Sequence, residues 1–247
     1  MLLAKRTAVV YGAAGAVGGA VARAFAREGA HVFLAGRTLA TLGPVAEEIR
    51  GSGGLADAAE VDALDESAVE NHLDAVIRQA GVLDVSFNAV RVDEVQGTPL
   101  LEMSLEDFSL PILSYPRTQF LTARAAGRHM SRARSGVILT LSTSAAQMPG
   151  TLLGGFGVAC AAVEALSRNL AGELGPHGVR VVCLRPDRLP ETAPDPAAAA
   201  AGRLPATLLG RLPTLSDVAN TAVFVASDHA AAMTSTVVNL TCGSTPD

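Results

Sequence analysis

Between Tyr11 and Gly18 the chain reads Tyr-Gly-Ala-Ala-Gly-Ala-Val-Gly. Glycines at that spacing let a backbone turn tightly and present N–H groups to a phosphate at the start of a helix. A plain strand-to-helix turn is the other reading of such a stretch. Its position after the first apolar run, and before an amphipathic one, favours the phosphate-binding reading. Side chains able to carry a proton are few. Lys5 is the sole lysine, Tyr11 and Tyr115 are the two tyrosines, and the five histidines are His31, His72, His129, His177 and His229. None of the histidines falls in a stretch that suggests a cleft, so solvated surface positions are expected for them. Cys160, Cys183 and Cys242 are three and widely spaced, which argues against a disulfide framework or a zinc site and leaves no metal centre expected.

The elements that must position these residues form a repeating pattern. Short apolar, β-branched runs at 7–11, 31–35, 54–60, 82–88, 136–142, 179–185 and 236–240 alternate with helical patterns at 17–28, 39–50, 66–80, 105–131, 152–175 and 216–226. That alternation predicts an α/β fold, a single-domain doubly wound parallel sheet of about seven strands with helices on both faces, over residues 1–247. Ser216, before Asp217 and Val218, is the expected cap of the last helix. The stretch 188–213 is rich in Pro and Ala and too short for a core of its own, so it reads as a flexible loop or lid on the substrate side.

Composition narrows the partners. With 49% hydrophobic and 17% charged residues the chain can bury a full core. A net charge of −5 with no basic stripe speaks against nucleic acid and anionic membranes. The apolar stretches are broken by glycine, and the first residues lack a cleavable leader pattern, so a cytoplasmic protein is expected.

The turn at Tyr11–Gly18 resembles the TGxxxGxG loop of the short-chain dehydrogenase/reductase family, with Tyr11 for Thr and Ala16 for a glycine. The similarity runs through nearly the whole chain. It implies a Rossmann fold that holds a nicotinamide dinucleotide through Gly12, Gly15, Val17 and Gly18. Members that prefer NAD carry an acidic residue where Gly36 stands. Gly36 with Arg37 and Thr38 after it therefore implies NADP(H) over NAD(H), a solvated arginine being the alternative. Asp62, in VDALD, corresponds to the aspartate that contacts adenine, and Asn88, in FNAV, to the second Asn of NNAG. Pro186 corresponds to the proline of the Pro-Gly pair near the nicotinamide.

The family's Asn-Ser-Tyr-Lys tetrad is absent. Aligned without gaps, Thr143 stands at the Ser, Phe156 at the Tyr, Cys160 at the Lys, and Tyr115 at the Asn. Phe156 can neither give nor take a proton, and Cys160 supplies no fixed positive charge. Pro116 should kink its helix. Val90 and Asp187 replace glycines, Glu191 stands at a threonine with Thr192 adjacent, and Arg185 or Arg188 would pair the added acids. Thr143 as hydrogen-bond donor and Tyr115 as replacement acid are the candidate catalytic residues, a packing role for Tyr115 and an inert Cys160 being weighed against them.

Three functions stay open. One is an NADP-linked oxidoreductase of weakened activity on a small carbonyl, hydroxyl or polyketide-like substrate. Another is a non-redox enzyme reusing the pocket. The third is a cofactor-binding subunit without catalysis, paired with an active relative. The resemblance also implies a homodimer or homotetramer packed through helices 105–131 and 152–175, with Ala159, Ala161, Ala162, Ala165 and Leu166 on the contact face.

Overall fold

The computed structural model describes residues 1–149, 152–197 and 207–245. Seven parallel strands form one sheet in the order β3-β2-β1-β4-β5-β6-β7. They are β1 (Thr7–Tyr11), β2 (His31–Gly36), β3 (Leu55–Glu60), β4 (Val85–Asn88), β5 (Gly136–Leu141), β6 (Val179–Pro186) and β7 (Thr236–Leu240). The helices between them are α1 (Ala16–Arg27), α2 (Leu39–Gly51), α3 (Glu66–Ala80), α4 (Leu105–Ala133), α5 (Phe156–Leu174) and α6 (Leu215–Ala226). This is the doubly wound Rossmann fold. The strand order reverses between β1 and β4, and a crevice opens there outside the carboxyl ends of the strands.

Period-two alternation along buried strands builds two cores. Ala8 and Val10 of β1 join Val32 and Leu34 of β2 against α1, α2 and α6. Val9 and Tyr11 face the other way, with Phe33, against α3, α4 and α5. All five residues of β1 are buried, which is why Ala8, Val9 and Val10 form an unbroken apolar run.

Local chemistry sets the element ends. Asp65 caps α3 by accepting from Ala68 N at 3.1 Å, and Gly81, at φ +80°, ends it. Residues 82–84 are used in that reversal, so β4 starts at Val85 rather than 82. Leu152 and Gly154 both have positive φ, which postpones α5 to Phe156 rather than 152. The cap of α6 is Thr214, not Ser216: Thr214 Oγ1 accepts from Asp217 N at 3.1 Å while Asp217 accepts from Thr214 N at 2.9 Å. Pro111 and Pro116 both sit inside α4, which continues unbroken from Leu105 to Ala133.

Two expected surface positions are interior. Ala159 is fully buried among Tyr115, Cys160 and Val163, because its side of α5 faces the sheet. Ala161 is exposed, and Ala162 and Ala165 are half-buried. His72 is buried on the inner stripe of α3 with Val69, Leu73 and Val76. His31 and His129 instead sit beside Asp57 and Asp74 at 2.7 and 3.2 Å. Among the described residues, no helix is long and apolar enough to cross a membrane and no cluster of potential metal ligands occurs. Residues 198–206 of the expected 188–213 lid lie outside the described residues.

Candidate active site

A first cavity of about 420 Å³ lies at the crevice, lined by Gly12 and Gly15 after β1, Arg37 and Thr38 after β2, and Asp62 after β3. The turn after β1 is tight. Gly12 has φ +71°, and a Cβ there would lie 2.6 Å from Ala89 O, so only glycine fits. A Cβ on Gly18 would come 2.3 Å from Gly12 O, so Gly18 lets α1 pack against the turn, and it is buried behind it. Gly15 is the N-cap of α1 and offers no side chain to its first turn, which leaves those N–H groups for a ligand. Arg37 is exposed at the cavity edge and has no hydrogen-bond or ion-pair partner among the described residues. Next to it Thr38 caps α2 without a side-chain bond. A guanidinium, a hydroxyl and the start of a helix on one cavity suit an anionic group. Asp62 orders its own loop, Oδ1 accepting from Leu64 N at 2.9 Å.

Asn88 lies beneath this cavity rather than on it. Its Nδ2 donates to Thr122 Oγ1 at 2.9 Å and its Oδ1 accepts from Val90 N at 2.9 Å, fixing the exit of β4. Tyr11 lines the cavity, its hydroxyl buried with no partner among the described residues, and its ring is edge-on to His72 at 6.2 Å. Burial pushes the Tyr11 phenol up and the His72 imidazole down to about 4.

A second cavity of about 450 Å³ takes in Val17, Thr143, Ser144, Phe156, Pro186, Asp187 and Arg188. Val17 and Pro186 therefore belong to this end. Thr143 comes just after β5; its Oγ1 accepts from Ala145 N at 3.2 Å and lies 3.5 Å from Cys160 Sγ. Tyr115 is turned away from proton transfer: its hydroxyl donates to Leu141 O at 2.7 Å, and its ring stacks on Phe156 at 6.0 Å. Burial holds its phenol well above the ordinary tyrosine range, and burial lifts the Cys160 thiol to about 11.

The acids here are held by neighbours. Asp187 accepts from Ser144 Oγ at 2.9 Å, from Arg188 N at 2.7 Å and from Ser244 Oγ. Arg185 directs its guanidinium to Glu164 at 2.8 Å, both side chains being almost fully buried, and Ser142 Oγ donates to the same carboxylate at 2.9 Å. Glu191 is engaged elsewhere, accepting from Leu215 N at 3.0 Å at the start of α6. Sequence reasoning missed Glu164, Ser244 and Glu94. The last sits on the loop after β4, its Oε2 buried with no partner among the described residues.

A family model described as enoyl-(acyl carrier protein) reductase matches residues 12–245. The chain is 31% identical to L-rhamnose 1-dehydrogenase (NAD(P)(+)) of Azotobacter vinelandii over 244 residues, 93% of each chain. It is 30% identical to D-threitol dehydrogenase of Mycolicibacterium smegmatis, covering 92% of this chain and 87% of that one. A solved short-chain type dehydrogenase/reductase from Mycobacterium marinum superposes with a TM-score of 0.90 at 29% identity, covering 99% of this chain and 97% of the other.

Proposed function

The chain belongs to the short-chain dehydrogenase/reductase family, and from that premise we propose that it is an NADP(H)-linked oxidoreductase whose carbonyl and hydroxyl chemistry is slow. The observation that carries this reading is Arg37: exposed and unpartnered among the described residues, beside Thr38, on the cavity that the Gly12 turn also lines. A 2′-phosphate on the adenosine ribose would meet that guanidinium, the pyrophosphate would lie over the first turn of α1, and Asp62 would face the adenine. The residues of this end fit such a dinucleotide. Bound there, it supplies hydride chemistry to the second cavity.

In that second cavity the chain's own groups do less than is usual. Thr143 can donate one hydrogen bond to a substrate oxygen. Phe156 walls the pocket without moving a proton, and Cys160 is buried behind it. Asp187 accepts hydrogen bonds from two hydroxyls and a main-chain N–H. Removing a positioned acid typically costs about 10²–10⁴ in rate, hence slow turnover. The substrate is a small, partly apolar carbonyl or hydroxyl compound, because Leu141, Met148, Leu153 and Phe156 form one wall. The described start of segment 188–213 forms the rim through Arg188, Leu189 and Thr192. Val158, Ala161, Ala162 and Ala165, on the outer side of α5, form the patch through which two copies pair into a dimer, or four into a tetramer.

The test is NADPH and NADH consumption over a panel of small ketones, aldehydes and quinones, with calorimetry of both nucleotides. Slow turnover supported by NADPH and not by NADH is expected. Absence of binding by either nucleotide would overturn the proposal.

A further inference from the structure

The glycine turn after β1 is stitched to the chain on either side of it. Gly12 N donates to Ala35 O of β2 at 2.9 Å, and Ala89 N, just past β4, donates to Tyr11 O at 3.0 Å. The strand order β2-β1-β4 therefore places the chain leaving β2 on one flank of the turn and the chain leaving β4 on the other. Each flank brings an arginine to the first cavity: Arg37 after β2 and Arg91 after β4. Neighbouring strands lie about 4.8 Å apart, so the two departure points are separated by roughly 10 Å.

Arg91 is exposed and makes no hydrogen bond or ion pair among the described residues. Glu94, on the same loop, feels its charge without bonding to it. The backbone that carries Arg91 is fixed. Asn88 Oδ1 accepts from Val90 N at 2.9 Å, and a Cβ on Gly12 would lie 2.6 Å from Ala89 O and 2.9 Å from Val90 Cα. The cation thus stands beside the turn that opens α1, whose first N–H groups have no side-chain cap. Two carboxylates also line this cavity. Asp62 is engaged with Leu64 N, and Asp93 is exposed to water.

We propose that Arg91 is a second cationic anchor of the nucleotide cavity and takes the pyrophosphate, leaving the 2′-phosphate to Arg37. The inference rests on the nicotinamide-dinucleotide reading above. NADPH is anionic at two places, the 2′-phosphate and the pyrophosphate, whereas NADH has the pyrophosphate alone. The loop that bears Arg91 runs on to the second cavity, which Gln96 lines, while β2 lies on the far side of β1. A pyrophosphate joins the adenosine half of the dinucleotide to the nicotinamide half, so it belongs on the flank that leads to the second cavity. A guanidinium forks onto two phosphate oxygens, and the helix start adds N–H donors. Arg91 then serves both nucleotides alike, and Arg37 discriminates between them.

The experiment is calorimetric titration of wild type, Arg91→Ala, Arg91→Lys and Arg37→Ala with four probes: NADPH, NADH, ADP and adenosine 2′-monophosphate. Arg91→Ala should weaken NADPH, NADH and ADP alike, by about tenfold, and leave adenosine 2′-monophosphate unchanged. Arg91→Lys should recover part of that loss, because it restores the charge without the fork. Arg37→Ala should give the complementary pattern, weakening NADPH and adenosine 2′-monophosphate only. Affinities of Arg91→Ala for NADPH, NADH and ADP within twofold of wild type would overturn the inference and leave the proposed function standing. So would a selective loss of adenosine 2′-monophosphate in Arg91→Ala, which would move this residue to the 2′-phosphate. A wild type that binds neither NADPH nor NADH would overturn the proposed function. The ADP arm then decides the inference by itself: ADP binding that depends on Arg91 supports it, and ADP binding that is absent or independent of Arg91 sinks it as well.

Discussion

The two ends of the crevice were built under different constraints. The end after β1, β2 and β3 keeps a glycine turn that tolerates no side chain, a helix start with no side-chain cap, and an arginine free to meet a ligand. The end after β5 and β6 is satisfied from within: Tyr115 bonds a strand carbonyl, Asp187 is held by two serines, and Arg185 is buried against Glu164. One end offers hydrogen-bonding capacity to a ligand, and the other has spent most of its capacity on the protein. If the proposed function holds, substitutions at one end should leave the other little changed.

The sharpest break is at Glu164. Replacing it with Ala removes the carboxylate from a buried guanidinium and from Ser142, at a cost of about 4 kcal/mol. Urea unfolding checks this, and the midpoint should fall well below that of Arg37→Ala, which alters only the exposed nucleotide end.

The nucleotide end carries its own liability, in His72. Its folded-state pKa of about 4 lies below the ordinary value of 6.5 that the unfolded chain keeps. Above pH 6.5 both states are neutral and no stability is lost. As the pH falls from 6.5 toward 4 the unfolded chain binds a proton that the folded one refuses, so stability drops, by about 3 kcal/mol at most. In His72→Leu the loss over that window should flatten, as read from unfolding midpoints between pH 4 and 7.

Reversion probes the reactive end. Phe156→Tyr alone places a phenol without an activating charge, and Cys160→Lys alone provides a charge with nothing to act on. Each single variant should leave carbonyl turnover near wild type, while the double variant gains about tenfold, because groups that act as a unit are strongly non-additive. An NADPH-consumption assay on all four proteins decides it, and full activity from Phe156→Tyr alone would show that the pocket retains its own activating group. The smallest effect is expected for Tyr115→Phe, a stability loss of about 1 kcal/mol from the hydrogen bond to Leu141 O.

The fold was legible because its signals repeat. Buried strands read as β-branched runs, and the glycine turn stands where sterics admit no side chain. The contents of the reactive end were less legible. His72 had a detectable signal, since it falls in register with Val69, Leu73 and Val76 on an amphipathic helix, but a histidine reads as polar until the stripe is drawn. The Glu164–Arg185 pair joins positions 21 residues apart, and nothing local marks either partner as buried. Glu94 lies on an irregular loop with no periodicity at all. The cap of α6 was misplaced by two residues because Ser216 and Thr214 are equally good caps, and only the reciprocal bond from Asp217 distinguishes them.

The retained nucleotide end is tested most directly by one titration: NADPH and NADH binding to wild type and to Arg37→Ala. Wild type should prefer NADPH by at least about tenfold, and Arg37→Ala should lose most of that preference with NADH affinity little changed, as removal of one charge-assisted phosphate contact requires. Equal affinities in wild type, or a preference for NADPH that survives in Arg37→Ala, would contradict a 2′-phosphate site at Arg37.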